Sequence, residues 1–108
     1  MENRIDRKLF LGFISIHVLH HAQKEPFYGV WMIEELKRHG YAMSAGTLYP
    51  LLHSMEKDGL LQYENRNVEG KIRKYYSITA SGAAVLEKAR SNALELFEEI
   101  KEGAQEGL

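Results

Sequence analysis

The apolar residues of this chain change their spacing at Asp58 and Gly59, and that change limits the fold more than any single motif does. Up to that point they recur every three or four residues; over the next eighteen or so they recur every second residue; from Thr79 onward the longer spacing returns. Side chains share a face about every 3.6 residues on a helix and every 2 on a strand, so the order reads as helices, then a short hairpin, then a helix.

Residues 4 to about 22 carry Ile5, Leu9, Phe10, Phe13, Ile14, Val18 and Leu19 almost all round, the pattern of a helix enclosed by others. The stretch QKEPFYG breaks it. VWMIEELKRHG then forms an amphipathic helix, with Val30, Ile33 and Leu36 on one face, Glu34, Glu35, Lys37 and Arg38 mostly on the other, and Gly40 as a stop. After a short turn, Ser44 is suited to cap a third helix in which Leu48, Leu51, Leu52 and Met55 recur. In the hairpin, Leu61 and Tyr63 alternate with Gln62 and Glu64, RNVEG supplies the turn, and Ile72, Tyr76 and Ile78 alternate with Arg73, Tyr75 and Ser77. Thr79 caps a last helix, expected over 79–104, whose Leu86, Ala89, Ala93, Leu96 and Ile100 form a seam that wants another helix; GAQEGL is expected to fray. The expected class is mainly α with a small β-hairpin (α+β), one domain over 1–108, in the order of a winged helix-turn-helix with an added C-terminal helix.

A chain of 108 residues buries a modest core and often needs a partner. It has no cysteine, which removes disulfides and thiolate metal sites and fits a reducing cytoplasm. RKLFLGFISIHVL mimics the front of a signal peptide, but Glu2 and Asp6 lie in the charged region and the run is too short to span a bilayer, so a buried helix and no membrane are expected. Net charge is only -1, yet its distribution is uneven: over residues 66–74 Arg66, Lys71, Arg73 and Lys74 stand against Glu69 alone, whereas six glutamates against Lys88, Arg90 and Lys101 occupy residues 82–108.

Gly46 and Pro50 are out of place in an ordinary helix. They suit a recognition helix, whose N-terminal end enters the major groove where small residues allow close backbone approach and the helix dipole faces phosphate. A kink or a 3₁₀ start is expected at Pro50. The plainer alternative is a loop entry to a packing helix.

PFYGVWMIEELKRHGYAMSAGTLYPLLHSMEKDGLL together with EGKIRKYYSITASGAAVL resembles the PadR family of bacterial transcriptional regulators, from about residue 9 to residue 90. The resemblance is to the short form of the family, and it implies a homodimeric repressor of a palindromic double-stranded DNA operator. It places Ser44, Thr47, Tyr49, Pro50 and His53 on the DNA-facing side of the third helix, and makes the last helix, with the first, the dimer surface. Hydroxyls at 44, 47 and 49 suit phosphates or base edges, and Pro50 offers apolar surface to a thymine methyl. Tyr49 as a core aromatic and His53 as a plain surface residue remain open. In the wing, Arg66, Lys71, Arg73 and Lys74 suit phosphates, and Tyr75 points away from the core face; a merely solvated hairpin is the alternative. Short PadR-like dimers also hold flat hydrophobic or aromatic effectors between the last helices and the first, which draws in Trp31, Phe10, Phe13, Leu94 and Phe97 beside Leu86, Ala89, Ala93, Leu96 and Ile100; plain dimer packing is the alternative.

His17, His20 and His21 stand at metal-compatible spacing, but no carboxylate or cysteine of the same segment completes four ligands, and they are read as packing residues. Glu34 and Glu35, like Glu98 and Glu99, are read as solvated charges. No activated nucleophile or phosphate-cradling loop is present, so no enzyme and no cofactor are expected. Two other functions stay open: a winged-helix adaptor that binds protein and never DNA, and a histidine-based metal-sensing regulator.

Overall fold

The structure is a computed structural model and describes residues 3–106. Helix α1 spans Arg4–Lys24; the Asn3 side chain accepts a hydrogen bond from the Asp6 N–H at 2.8 Å, and Asp6 and Lys24 sit at the helix ends that their charges favour. Pro26 excludes the helical conformation from Glu25, which is extended, and the chain leaves α1 as a strand. That strand, β1 (Phe27–Tyr28), was not visible in the residue pattern, because two residues carry no period. Helices α2 (Gly29–Arg38) and α3 (Ala45–Lys57) follow, then β2 (Leu61–Val68), β3 (Lys71–Ile78) and α4 (Ala80–Glu106).

The sheet is antiparallel in the order β1-β3-β2, with Tyr76 opposite both Phe27 and Tyr63. One face packs on the helices. Ile14, Val18 and Leu19 of α1 meet Met32 and Leu36 of α2, Leu48, Leu52 and Met55 of α3, and Phe27, Leu61 and Tyr76 of the sheet, with Leu86 of α4 closing the core.

Both helices of the helix-turn-helix end in the same way. The Tyr41 N–H bonds the Leu36 carbonyl and the Gly40 N–H that of Lys37; the Leu60 N–H bonds Met55 and the Gly59 N–H Glu56. These are Schellman caps, which need a left-handed residue, and Gly40 (φ 90°) and Gly59 (φ 80°) supply it. Thr79 ties the hairpin to the second of them: its hydroxyl donates to the Gly59 carbonyl and accepts from the Gly82 N–H, which starts α4.

Several expectations need correction. In α2 the buried face is Met32, Glu35 and Leu36, while Val30 is exposed. Helix α3 is continuous through Pro50 and has no 3₁₀ segment, because Gly46 is only the second residue of the helix and its unpaired carbonyl lies at a solvent-exposed end. Ile72 lies on the core face of β3 by alternation but is 67% exposed, since the wing projects beyond the helices it would pack on. Helix α1 is enclosed only in its second half; Ile5, Leu9 and Phe13 are exposed. Helix α4 runs past 104 to Glu106 instead of fraying from Gly103, and Gly107 and Leu108 lie outside the described residues.

The two glycines of α3 and its cap should respond in opposite ways. Gly59→Ala forces a left-handed alanine and should cost about 1 kcal/mol, whereas Gly46→Ala, whose Cβ would meet only Ser44 Oγ at 3.7 Å, should stabilise by up to ~1 kcal/mol. Urea unfolding of the two variants checks this.

Candidate nucleic-acid interface

The core side of α3 is set by Leu48, Leu52 and Met55, which leaves Ser44, Tyr49, Pro50 and His53 exposed and Thr47 half-buried on the outward side. All five residues singled out on this helix therefore border one surface. Ser44 occupies the N-cap position without making the capping bond; its hydroxyl turns to Thr47 Oγ1 at 3.4 Å. The Thr47 N–H turns to the Ser44 carbonyl at 3.1 Å, and the first-turn amides stay uncapped by the Ser44 side chain.

Tyr49 leans across to the start of α2. A Cβ at Gly29 would fall on the edge of the Tyr49 ring, so the Tyr28-Gly29 pair is there to let α3 and α2 close on each other. Beside this contact, Tyr28, Val30, Tyr49, Ile72 and Arg73 border a cleft of about 250 Å³ between the helix-turn-helix and the wing.

The wing cations divide between the two sheet faces. Arg66, Lys71, Arg73 and Tyr75 alternate onto the face away from the helices. The Arg66 guanidinium lies over the Tyr75 ring at 4.4 Å and pairs with Glu64, and Arg73 lies over Tyr28 at 4.3 Å. Lys71 forms no ion pair among the described residues and marks the exposed tip. Lys74 is on the other face: its ammonium sits 3.9 Å from the Tyr63 ring centre and 3.3 Å from Glu56 Oε1 of α3. Burial lowers the Lys74 pKa, but the Tyr76 hydroxyl and the Glu56 carboxylate that face the ammonium outweigh it and hold it above its usual range. Lys74 thus braces the wing against α3, a role its place in a basic run did not reveal.

Residues 18–88, about two thirds of the chain, match the transcriptional regulator PadR-like family. The chain belongs to that family. It is 46% identical over 90 residues to "Transcriptional regulator Rv3488" of Mycobacterium tuberculosis, covering 83% of this chain and 84% of the relative. Among solved structures it resembles a PadR-like transcription factor from Bacteroides fragilis (TM-score 0.81, 31% identity, 93% of this chain and 98% of that one) and a PadR family regulator from Eggerthella lenta (0.78, 34%, 91% and 87%). The family and these relatives are transcriptional regulators, not enzymes, and no helix among the described residues is long and apolar enough to cross a membrane.

In this PadR-like regulator α1 and α4 enclose a groove of about 540 Å³, bordered by Phe13, Ile16, His17 and His20 on one side and Leu86, Arg90, Ala93 and Leu94 on the other. Beyond it α4 carries Leu94, Leu96, Phe97 and Ile100 exposed. Three of the residues grouped with this surface lie partly or wholly outside the groove itself. Leu86 is 8% exposed and belongs to the core as well as the groove floor; Phe10 turns to Tyr41, ring centres 5.9 Å apart, and packs on the core; Phe97 stays outside the groove on the free part of α4. Ala89 is half-buried.

The reading of Glu35 as a solvated charge is wrong. It is 8% exposed, with Oε1 2.6 Å from the Arg38 guanidinium and Oε2 3.1 Å from His39 Nε2 and 3.4 Å from His21 Nε2 of α1. Burial pushes its carboxyl up, but the His39 hydrogen bond and the Arg38 charge outweigh that and hold it below the ordinary range. His21 and His17 are both pushed down, first by burial. No spacing within one helix signals this meeting of α1 and α2.

The fit of Tyr49 against Gly29 predicts a coupling. Gly29→Ala should destabilise the protein by ~1–3 kcal/mol as the ring is displaced, and by clearly less in a Tyr49→Ala background. Equal losses in the two backgrounds, measured by thermal or urea unfolding, would show that the ring is not what excludes a side chain at 29.

Proposed function

We propose that the chain is a homodimeric repressor that grips a palindromic operator through the N-terminal half of α3 and the wing, and releases it when a small hydrophobic or aromatic effector binds. The observation that carries the DNA reading is Gly46: it lies on the exposed start of α3, its φ is not positive, and no atom is close enough for the fold to require a glycine there. A residue that the fold does not need, flanked by Ser44, Thr47 and Tyr49, the last of which shares a cleft with Ile72 and Arg73 of the wing, fits close approach to a backbone outside the protein. Arg66, Lys71 and Arg73 supply phosphate contacts around it.

The dimer reading rests on Ile5, Leu9 and Phe13 of α1 and Leu94, Leu96, Phe97 and Ile100 of α4, exposed apolar side chains on two helices that already pack on each other. Pairing them with a second copy buries both stripes and sets two copies of α3 at a fixed spacing. The groove between α1 and α4 opens beside that seam, where an effector can alter the spacing; it acts only if it binds one spacing better than the other.

Binding to the DNA upstream of the chain's own gene, followed by fluorescence anisotropy over a range of salt, tests the reading. Tyr49→Phe should cost ~1 kcal/mol of affinity with stability unchanged, and Gly46→Leu should cost more. Lys71→Ala and Arg73→Ala should each lower the slope of log affinity against log salt by about 1. Binding unaffected by all four changes is what a protein adaptor would give.

The seam makes a separate prediction. Leu96→Glu should yield a folded monomer by sedimentation, because the charge lands on a surface that only the second copy covers. Leu86→Glu should unfold the chain instead, as it places the charge in the core.

A further inference from the structure

His21, Glu35 and His39 bring three ligand atoms within 4.8 Å of one another, two imidazole nitrogens and a carboxylate oxygen. Both imidazoles aim Nε2 at the same atom, Glu35 Oε2, at 3.4 and 3.1 Å. Protein–zinc bonds of 2.0–2.1 Å at tetrahedral angles put neighbouring ligand atoms about 3.3 Å apart, so the two edges to Glu35 Oε2 already have the length that a shared ion requires, while the edge between the imidazoles is within 4.8 Å and closes on binding. His39 accounts for its share of the geometry with a hydrogen bond to Glu35. His21 does not: its residue is 8% exposed, its Nε2 is buried, and that nitrogen makes no hydrogen bond. Buried polar atoms of folded proteins are nearly always satisfied, and a nitrogen left over beside a carboxylate and a second imidazole wants a cation.

We propose that these three residues bind a divalent transition-metal ion of the zinc type and so clamp α1 to the C-terminal end of α2. Two imidazoles with one carboxylate favour zinc, cobalt or nickel over calcium and magnesium, which take oxygen ligands. Arg38 holds Oε1 at 2.6 Å, which fixes the carboxylate and leaves Oε2 to coordinate alone. The exposed His39 gives the ion its entry.

The placement suggests what the ion regulates, a step that rests on the DNA-binding reading above. His39 is the C-cap of α2, five residues before Ser44 at the start of α3, and His21 lies on the helix that carries the groove and the exposed apolar stripe. An ion across them makes the angle between the dimer helix and the helix-turn-helix depend on metal, and metal and operator then alter each other's affinity by the same factor.

Trp31, the single tryptophan, packs edge-on to His21 with ring centres 5.5 Å apart, and reports on the site without DNA. Tag-free chain titrated with Zn(II) by calorimetry should bind one ion per chain, and Ni(II) or Co(II) should quench Trp31 fluorescence. At a hundredfold excess over Kd, zinc should raise the unfolding midpoint by about 10 °C. Affinity should fall at least tenfold in His39→Gln, whose exposed side chain is not needed for folding, and in His21→Gln. Loss in His20→Gln with binding kept in His39→Gln would overturn the proposal in favour of a site within α1, and no zinc binding by the folded wild-type chain would overturn it outright. Anisotropy with and without zinc then reads the coupling. A chain that binds zinc but no duplex defeats the DNA reading and keeps the site; one that binds duplex but no zinc does the reverse.

Discussion

Strand β3 is the one member of the sheet with a neighbour on each side, and the position of everything outward of the core depends on its pairing. Tyr76 is its buried residue, set between Phe27, at 5.8 Å, and Tyr63, at 6.2 Å. Phe27 is where α1 hands over to α2, so the ring contact fixes the wing against the start of the helix-turn-helix. Two residues along, Lys74 reaches Tyr63 and Glu56, which fixes the wing against α3 as well. A two-stranded hairpin alone is marginal in water. Held by a third strand and a buried-side cation, this one keeps its tip at a constant distance from the exposed start of α3, and a surface that must meet two parts of one duplex needs that constancy.

The core itself is small, and α1 shows how it is shared. Its second half gives Ile14, Val18 and Leu19 to the core, while its first half exposes Ile5, Leu9 and Phe13. Helix α4, about 40 Å long by its 27 residues, does the same: Leu86 is buried and the turns beyond it expose Leu94, Leu96, Phe97 and Ile100. Each helix has one half for its own chain and one half with no cover in that chain. The division explains why an apolar pattern all round a helix does not by itself mean enclosure within one chain.

Much of this was legible from the order of residues. The change of period at Gly59 separated three helices from the hairpin, Gly40 and Gly59 marked helix ends through a backbone conformation few other residues adopt, and the outward side of α3 followed from its leucines. The misreadings share a cause. Strand β1 is two residues long and exists only because β3 lies beside it. The ten-residue α2 has apolar residues at 30 to 33, so its inner face was ambiguous until α1 and α3 chose Met32. Glu35 looked like any surface carboxylate because its partners are His39 four residues on and His21 on another helix, and the second of these is a tertiary fact. Lys74 differs from Arg73 only in parity along the strand, and the basic run hid that difference. The resemblance to a known family placed the expected DNA-facing residues, but not which of the wing cations was already engaged within the fold.

The central claim is that two copies of one edge, the start of α3 with its wing, meet one duplex at a spacing set by α1 and α4. Hydroxyl-radical footprinting of the upstream DNA with the full chain measures this directly. The account predicts two protected patches related by a two-fold axis, with centres about 10 base pairs apart or a whole multiple of that. A single asymmetric patch would contradict the paired arrangement, and uniform absence of protection at concentrations where the chain is folded and dimeric would contradict the assignment of that edge to DNA.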